Sequence, residues 1–230
     1  MPGSNECILP QNFYARDPRI VARELLGKIL VRTLSGGAKP KRLAGRIVEL
    51  EVYLGEGDLA AHSAAGKTAR NEVLFGPPGH AYVYFIYGVH YCLNFSCMPE
   101  GNAGCVLLRA IEPLEGIEQM AKARGIAPER LQSASGLRLL TSGPGRLCEA
   151  LGITREAFNG VELYTAKTGL KVVDDGWRPD QVCETARIGI TKSSDMPLRY
   201  VIAGNAFVSG TKQSTAKDTS KRRLCLYSRL

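Results

Sequence analysis

Residues 45–54, GRIVELEVYL, constrain this chain more than any other stretch. Their alternation reads as a strand with two chemically opposed faces. Val48, Leu50, Val52 and Leu54 point one way, and Glu49, Glu51 and Tyr53 point the other. The first face needs a core. The second is either solvated, the usual state of an amphipathic strand's polar side, or the wall of a pocket. Tyr53 on that face and His62 shortly after it favour a pocket.

The neighbouring segments extend this into a mixed fold. Asp17-Pro18 supplies an N-cap and a preset first turn, Ile20, Val21 and Leu25 an apolar stripe, and Gly27 a stop, so a helix follows Asp17. KILVRTL (28–34) reads as a strand and GGAKPK (36–41) as a turn. Residues 62–79 form a long loop bearing Gly and Pro, and 80–97 a hairpin turning near Tyr87-Gly88. AGCVLLRAI (103–111) is a further strand, followed by a helix that Pro113 opens. Pro144 opens another, which Gly152 closes. Short strands follow, including ETARIGIT (184–191) and PLRYVIA (197–203). The class is mixed α/β or α+β. No internal repeat or long linker divides the chain, so 1–210 is expected to be one domain and 211–230 a basic C-terminal tail.

Composition narrows the function. The 230 residues are 44% hydrophobic, as in a globular protein. Lys plus Arg number 30 against 22 Asp plus Glu, a net charge of +8 that suits a polyanionic partner, nucleic acid above all. Residues 16–46 hold nine basic residues against Asp17 and Glu24. From charge alone, phosphate contact and a solvated basic face stand equally there. Seven Cys without regular spacing read as reduced thiols. The N-terminus lacks the pattern of a signal peptide. The most apolar stretch, AYVYFIYGVHYCLNF (81–95), is broken by His90 and Asn94 and falls short of the roughly 18 apolar residues of a spanning helix. An intracellular protein is expected: cytoplasm or nucleoid in a bacterium, nucleus in a eukaryote.

The three His, at 62, 80 and 90, and the Cys show no metal-ligand spacing, so no metal is expected. Gly66-Lys67-Thr68 lacks the upstream Gly of a phosphate-binding loop. SGPG (142–145) could cradle a phosphate at a helix start, although an ordinary helix entry explains it as well. Six of the 16 aromatic residues fall within 82–95. Phe85 and Phe95 read as sheet core, whereas Tyr87 abuts the turn, where a large ring needs something to insert into. Arg109 could pair with a carboxylate or cover its own strand.

Six segments carry a family resemblance: FYARDPRIVARELLGKILVR, GRIVELEVYLGEGDLAAHS, YVYFIYGVHYCLNFS, GCVLLRAIEPLEG, TSGPGRLCEALGI and PLRYVIAG. Together they run from about residue 13 to about 204. The combination E-x-Y-L-G…D-x-A-A-H-S, then YVYFIYG, is specific. The chain resembles the alkyladenine (3-methyladenine) DNA glycosylases. The resemblance implies an α+β single domain around a curved antiparallel sheet, with a protruding β-hairpin that enters the DNA minor groove, and no cofactor. It implies base excision repair by a monofunctional enzyme, acting as a monomer on double-stranded DNA. The damaged purine (3-methyladenine, 7-methylguanine, hypoxanthine or ethenoadenine) is flipped out and its N-glycosidic bond hydrolysed.

The resemblance makes Glu51 the general base and Arg109 the residue holding water and the nearby phosphate. Tyr53 takes one face of the flipped base, and His62 and Tyr84 the other. Asn94 disfavours the exocyclic amine of guanine, Leu107 is pocket wall, and Tyr87 intercalates. An N-alkylated purine is cationic and leaves without an acid, so one carboxylate suffices for those substrates and Glu49 is expected at the surface. Loop 64–70, AAGKTAR, is one residue shorter than in vertebrate relatives, and the tail from about 211 matches nothing. Two rivals are a glycosylase that also nicks the abasic site through an amine nucleophile, and a non-catalytic nucleic-acid binder using strip 16–46.

Overall fold

The computed structural model describes residues 6–36 and 40–210, together with the backbone of 225–227. In chain order, β1 (Cys7–Ile8) and the short α1 (Gln11–Tyr14) lead into α2 (Pro18–Leu25), β2 (Ile29–Leu34) and the long β3 (Lys41–Tyr53). A loop with a 3-10 turn at Glu72–Phe75 precedes β4 (Ala81–Ile86), β5 (His90–Ser96) and β6 (Cys105–Glu115). Four helices follow: α3 (Ile117–Ala123), α4 (Ala134–Thr141), α5 (Pro144–Leu151) and α6 (Arg155–Phe158). The chain returns through β7 (Leu170–Asp174), β8 (Gln181–Thr185), β9 (Arg199–Ile202) and β10 (Cys225–Tyr227).

These strands form one curled antiparallel sheet in the order β1-β7-β2-β3-β6-β5-β4, with β9 joining β3 to β8 and β10 lying beside β8. β3 is the spine. Its first half pairs with β2, residues 49–51 pair with β9, and most of its length pairs with β6 on the other edge. The expected α+β class around a curved antiparallel sheet is the observed one. The expected tail lies outside the described residues, except for the β10 backbone.

The apolar side of the central strands is the core. Val48, Leu50 and Val52 of β3 join Val106 and Leu108 of β6, Leu93 and Phe95 of β5 and Val83 of β4, with Leu25, Met120, Leu147 and Leu151 from the helices. α2 begins as its sequence demands: Asp17 accepts the Arg19 amide at 2.8 Å and Pro18 takes the first turn. Its buried stripe is Val21, Ala22 and Leu25. Ile20, expected in that stripe, is exposed, because it falls on the outward side of the turn.

Three further expectations are corrected. Pro113 does not open a helix. It lies within β6 opposite Gly45, where the register shifts and a missing donor is tolerated, and α3 starts only after Gly116 turns the chain at φ +79°. The strand read in ETARIGIT ends at Thr185, and residues 186–191 leave the sheet. Phe85, expected in the core, is 47% exposed and stacks on Tyr91 outside it, 5.0 Å between centroids. No helix among the described residues is long and apolar enough to cross a membrane.

Candidate active site

Strand register assembles the site on the polar side of the sheet. Glu51 pairs with Leu107, Leu107 with Asn94, and Asn94 with Tyr82, so one lateral row crosses β3, β6, β5 and β4. Side chains two positions along share the same face. That brings in Tyr53 and Cys105 on one side of the row, and Arg109, Cys92 and Tyr84 on the other. All nine line a cavity of about 580 Å³, walled further by residues 60–63, 142–146 and 188–190. The eight residues singled out from the sequence (Glu51, Arg109, Tyr53, His62, Tyr84, Asn94, Leu107 and Tyr87) all border this one cavity.

Glu51 is fully buried. Its Oε2 accepts the Tyr53 hydroxyl at 3.0 Å. Its Oε1 accepts the Ile188 amide at 2.7 Å and lies 3.2 Å from Arg109 Nη1. Burial, then Glu51 itself, push the Tyr53 hydroxyl far above its ordinary range, so it remains a donor. Burial opposes the charge on Arg109, but Glu51 and Glu49 outweigh it and raise its pKa.

Glu49 is the main correction at the site. Expected at the surface, it is fully buried. Its Oε1 accepts from Arg199 Nε at 2.7 Å, Arg109 Nε at 2.9 Å and the Ser209 hydroxyl at 2.8 Å, and its Oε2 accepts the Ser209 amide at 2.5 Å. The register between β3 and β6 slips on both sides of Glu49, setting Arg109 outside the ladder. Burial raises the Glu49 pKa, but Arg199, Arg109 and the Ser209 amide together hold it below the ordinary carboxylate range. The acceptors that would have faced water are met inside the protein.

The aromatic walls are ordered by polar contacts. His62 keeps an exposed edge, its Nδ1 2.9 Å from the Tyr82 hydroxyl and its ring edge-on to Tyr84 at 4.5 Å. Burial of the ring, then Arg70, lower the His62 pKa and favour the neutral imidazole. Asn94 is buried, donating from Nδ2 to the Tyr82 carbonyl at 3.1 Å, while its Oδ1 faces the Cys105 thiol. Tyr87 stands apart from the core at the hairpin tip, 81% exposed, with φ +53° beside Gly88 at +68°. Positive φ at consecutive positions is the geometry a tight hairpin turn requires.

Sequence reading gave no role to Arg187, Ile188 or Asp58, although Asp58 opens the D-x-A-A-H-S motif. Arg187 and Asp58 form a fully buried ion pair, and Arg187 also sits 4.7 Å from the Tyr53 ring centroid. The signal for Arg187 was a cation inside the otherwise apolar RIGI. Residues 142–146 are indeed a helix entry, and they also wall the cavity: the Gly143 amide donates to the Arg109 carbonyl at 2.9 Å, and Gly145 abuts His90. No cluster of metal-ligating side chains occurs among the described residues.

Six of the strip's nine basic residues are held in ion pairs. Arg16 pairs with Glu24, Arg19 with Asp17, Arg23 with Glu184, Lys28 with Asp174, Arg42 with Glu6 and Glu115, and Arg46 with Asp175. None of the strip's described residues lines the cavity.

Comparison with known proteins identifies the family. The family model described as methylpurine-DNA glycosylase matches residues 12–206. A relative from Koribacter versatilis is 60% identical over 204 residues, covering 89% of this chain and 94% of that protein. One from Burkholderia cenocepacia is 47% identical, covering 88% and 91%. One from Methanoculleus marisnigri is 44% identical, covering 87% and 98%. All three are provisionally named 3-methyladenine DNA glycosylase. A buried carboxylate and an arginine on the floor of an aromatic cavity, a protruding hairpin and a match across most of the chain converge: this chain belongs to the methylpurine-DNA glycosylase family.

Proposed function

We propose that this DNA glycosylase is monofunctional and acts as a monomer on double-stranded DNA. It flips out alkylated or deaminated purines (3-methyladenine, 7-methylguanine, hypoxanthine and ethenoadenine) and leaves an abasic site. Its observational basis is the fully buried Glu51, held by Arg109, Tyr53 and the Ile188 amide on the floor of the aromatic cavity.

As the purine leaves C1′, a cationic alkylpurine as the neutral base and a neutral purine with a proton taken up from solvent, the sugar becomes oxocarbenium-like. Ionised Glu51 stabilises that charge and takes a proton from the water that attacks C1′. Arg109 orients the water and the adjacent phosphate. Tyr53 stacks on one face of the base, His62 and Tyr84 on the other, attracting electron-poor rings most strongly. Asn94 excludes the guanine amine, Leu107 is wall, and Tyr87 fills the gap left in the helix. The reading requires no metal or cofactor. Glu49 is not a second catalytic carboxyl, because its acceptors are already committed to Arg199, Arg109 and Ser209.

The test is incubation with duplexes carrying hypoxanthine, ethenoadenine or methylated purines, followed by alkali and a sequencing gel. Strand breaks at the lesion only after alkali are expected. No breaks with any lesion would refute the proposal. A borohydride-trapped protein–DNA adduct would instead show Schiff-base chemistry.

A further inference from the structure

Three separate segments of the cavity wall meet on one side chain that does not itself reach the cavity. Arg187 Nη1 donates to the Val52 carbonyl at 2.9 Å and to Asp58 Oδ2 at 2.6 Å. Its Nη2 donates to Asp58 Oδ1 at 2.8 Å and to the Ser193 carbonyl at 3.2 Å. Asp58 in turn accepts the amides of Leu54 and Ala60, both at 3.2 Å. The two charged side chains are fully buried. They tie the end of β3, the loop that carries His62 and the loop that carries Ile188 into one unit.

Two consequences fall on the cavity floor. Val52 lies between Glu51 and Tyr53, so the bond to its carbonyl fixes the strand at both. Arg187 is also the residue before Ile188, so anchoring its side chain holds the peptide whose amide is one of three donors to Glu51. A lysine could supply the charge but not this planar, four-way contact.

We propose that Arg187, with Asp58, is a positioning residue for Glu51. It holds the Ile188 amide on the carboxylate and the Tyr53 ring beside it. This rests on Glu51 being the general base, and the test separates the two ideas. The charged and titratable groups around Glu51 are Tyr53 and Glu49 on its own strand, Arg109 on β6, Cys92 on β5, Arg199 opposite it on β9, and Arg187 itself. A donor held on a carboxylate favours its ionised form, so the pH profile of the reaction reads whether the Ile188 amide stays in place.

The experiment compares wild type with Arg187→Lys and Asp58→Asn, each checked for melting temperature. Single-turnover excision of hypoxanthine is followed across pH, and affinity for the same duplex is measured separately. The expected result is a rate constant lower by about 10²-fold, the scale of a small misplacement of a catalytic group. The acid limb of the pH profile should move to higher pH, with lesion affinity within a few-fold of wild type. A wild-type rate constant and profile in folded variants would overturn the proposal. So would parallel losses of melting temperature, affinity and rate with an unmoved profile, which describe a merely structural ion pair. A carboxyl ¹³C titration of Glu51, assigned against Glu51→Gln, reads the same shift without DNA. Wild type inactive on every lesion would defeat the glycosylase reading, and that titration would still decide the clamp: an upward shift in Arg187→Lys supports it and an unchanged value overturns it.

Discussion

Glu51 and Asn94 stand in one lateral row, each paired in register with Leu107 between them. They are two strand spacings apart, roughly 9–10 Å. That span suits a flipped purine nucleoside, with the sugar carbon near Glu51 and the purine edge near Asn94. On the proposed reading, the chemistry and the discrimination are built on the same sheet, so each should be alterable without the other.

Asn94→Ser should relax discrimination while leaving the base in place. The shorter side chain gives up the bond to the Tyr82 carbonyl and opens room beside the purine edge. Release of guanine from undamaged or mismatched DNA should become measurable, with a modest change on hypoxanthine. Unchanged rejection of guanine would place the gate elsewhere.

Tyr87→Ala should act on flipping alone. The ring is 81% exposed, so its loss removes little packing. Base–aromatic stacking is worth about 1–3 kcal/mol, so excision of paired lesions limited by flipping should fall roughly 5–150-fold. Single-stranded lesions should be spared and the melting temperature nearly unchanged. Equal losses on both substrates would contradict an intercalating role.

Glu49 should make the protein acid-labile. Its folded pKa lies below the ordinary value of 4.5, so the unfolded state binds more protons as pH falls. The stabilisation is therefore full above pH 4.5 and lost as pH drops toward the folded value. Asp58, held down by Arg187 and two backbone amides against the cost of burial, acts in the same direction below its ordinary 3.8. Glu49→Gln leaves Arg199 and Arg109 short of a charge and should cost about 3–5 kcal/mol at neutral pH. Melting followed from pH 7 to pH 3 should show a shallower acid slope in the variant. An identical slope would remove Glu49 from the acid response.

The ion-paired strip should contribute little to DNA affinity. Each phosphate contact adds about 0.9 to the slope of log affinity against log salt. Arg42→Gln and Arg46→Gln should leave that slope unchanged, since both guanidinium groups are held by carboxylates. A slope reduced by about one per substitution would show that DNA competes those pairs open.

What was legible in the sequence was local. The alternation at 45–54, the Asp17-Pro18 cap, the Tyr87-Gly88 turn and the Pro144–Gly152 helix each depend on a few adjacent residues, and each is present. α4 was not read because Gly136 interrupts its first turn, although Ser133 caps it. Pro113 was misread because its tolerance depends on a register shift against another strand. The fate of Glu49 was hidden for the same reason: Arg199 and Ser209 lie 150 and 160 residues away. Arg187 reaches Asp58 across 129 residues; each stands out locally, a cation in apolar RIGI and the first residue of D-x-A-A-H-S, but nothing local pairs them.

Glu51→Gln tests the central claim most directly. The amide keeps the shape of the side chain and can still accept from Tyr53 or Ile188, but it cannot take a proton from water. Under single-turnover conditions with a hypoxanthine-containing duplex, the rate of base release should fall about 10²–10⁴-fold while affinity for that duplex is retained. A variant that excises at the wild-type rate would contradict the assignment of Glu51 as the general base.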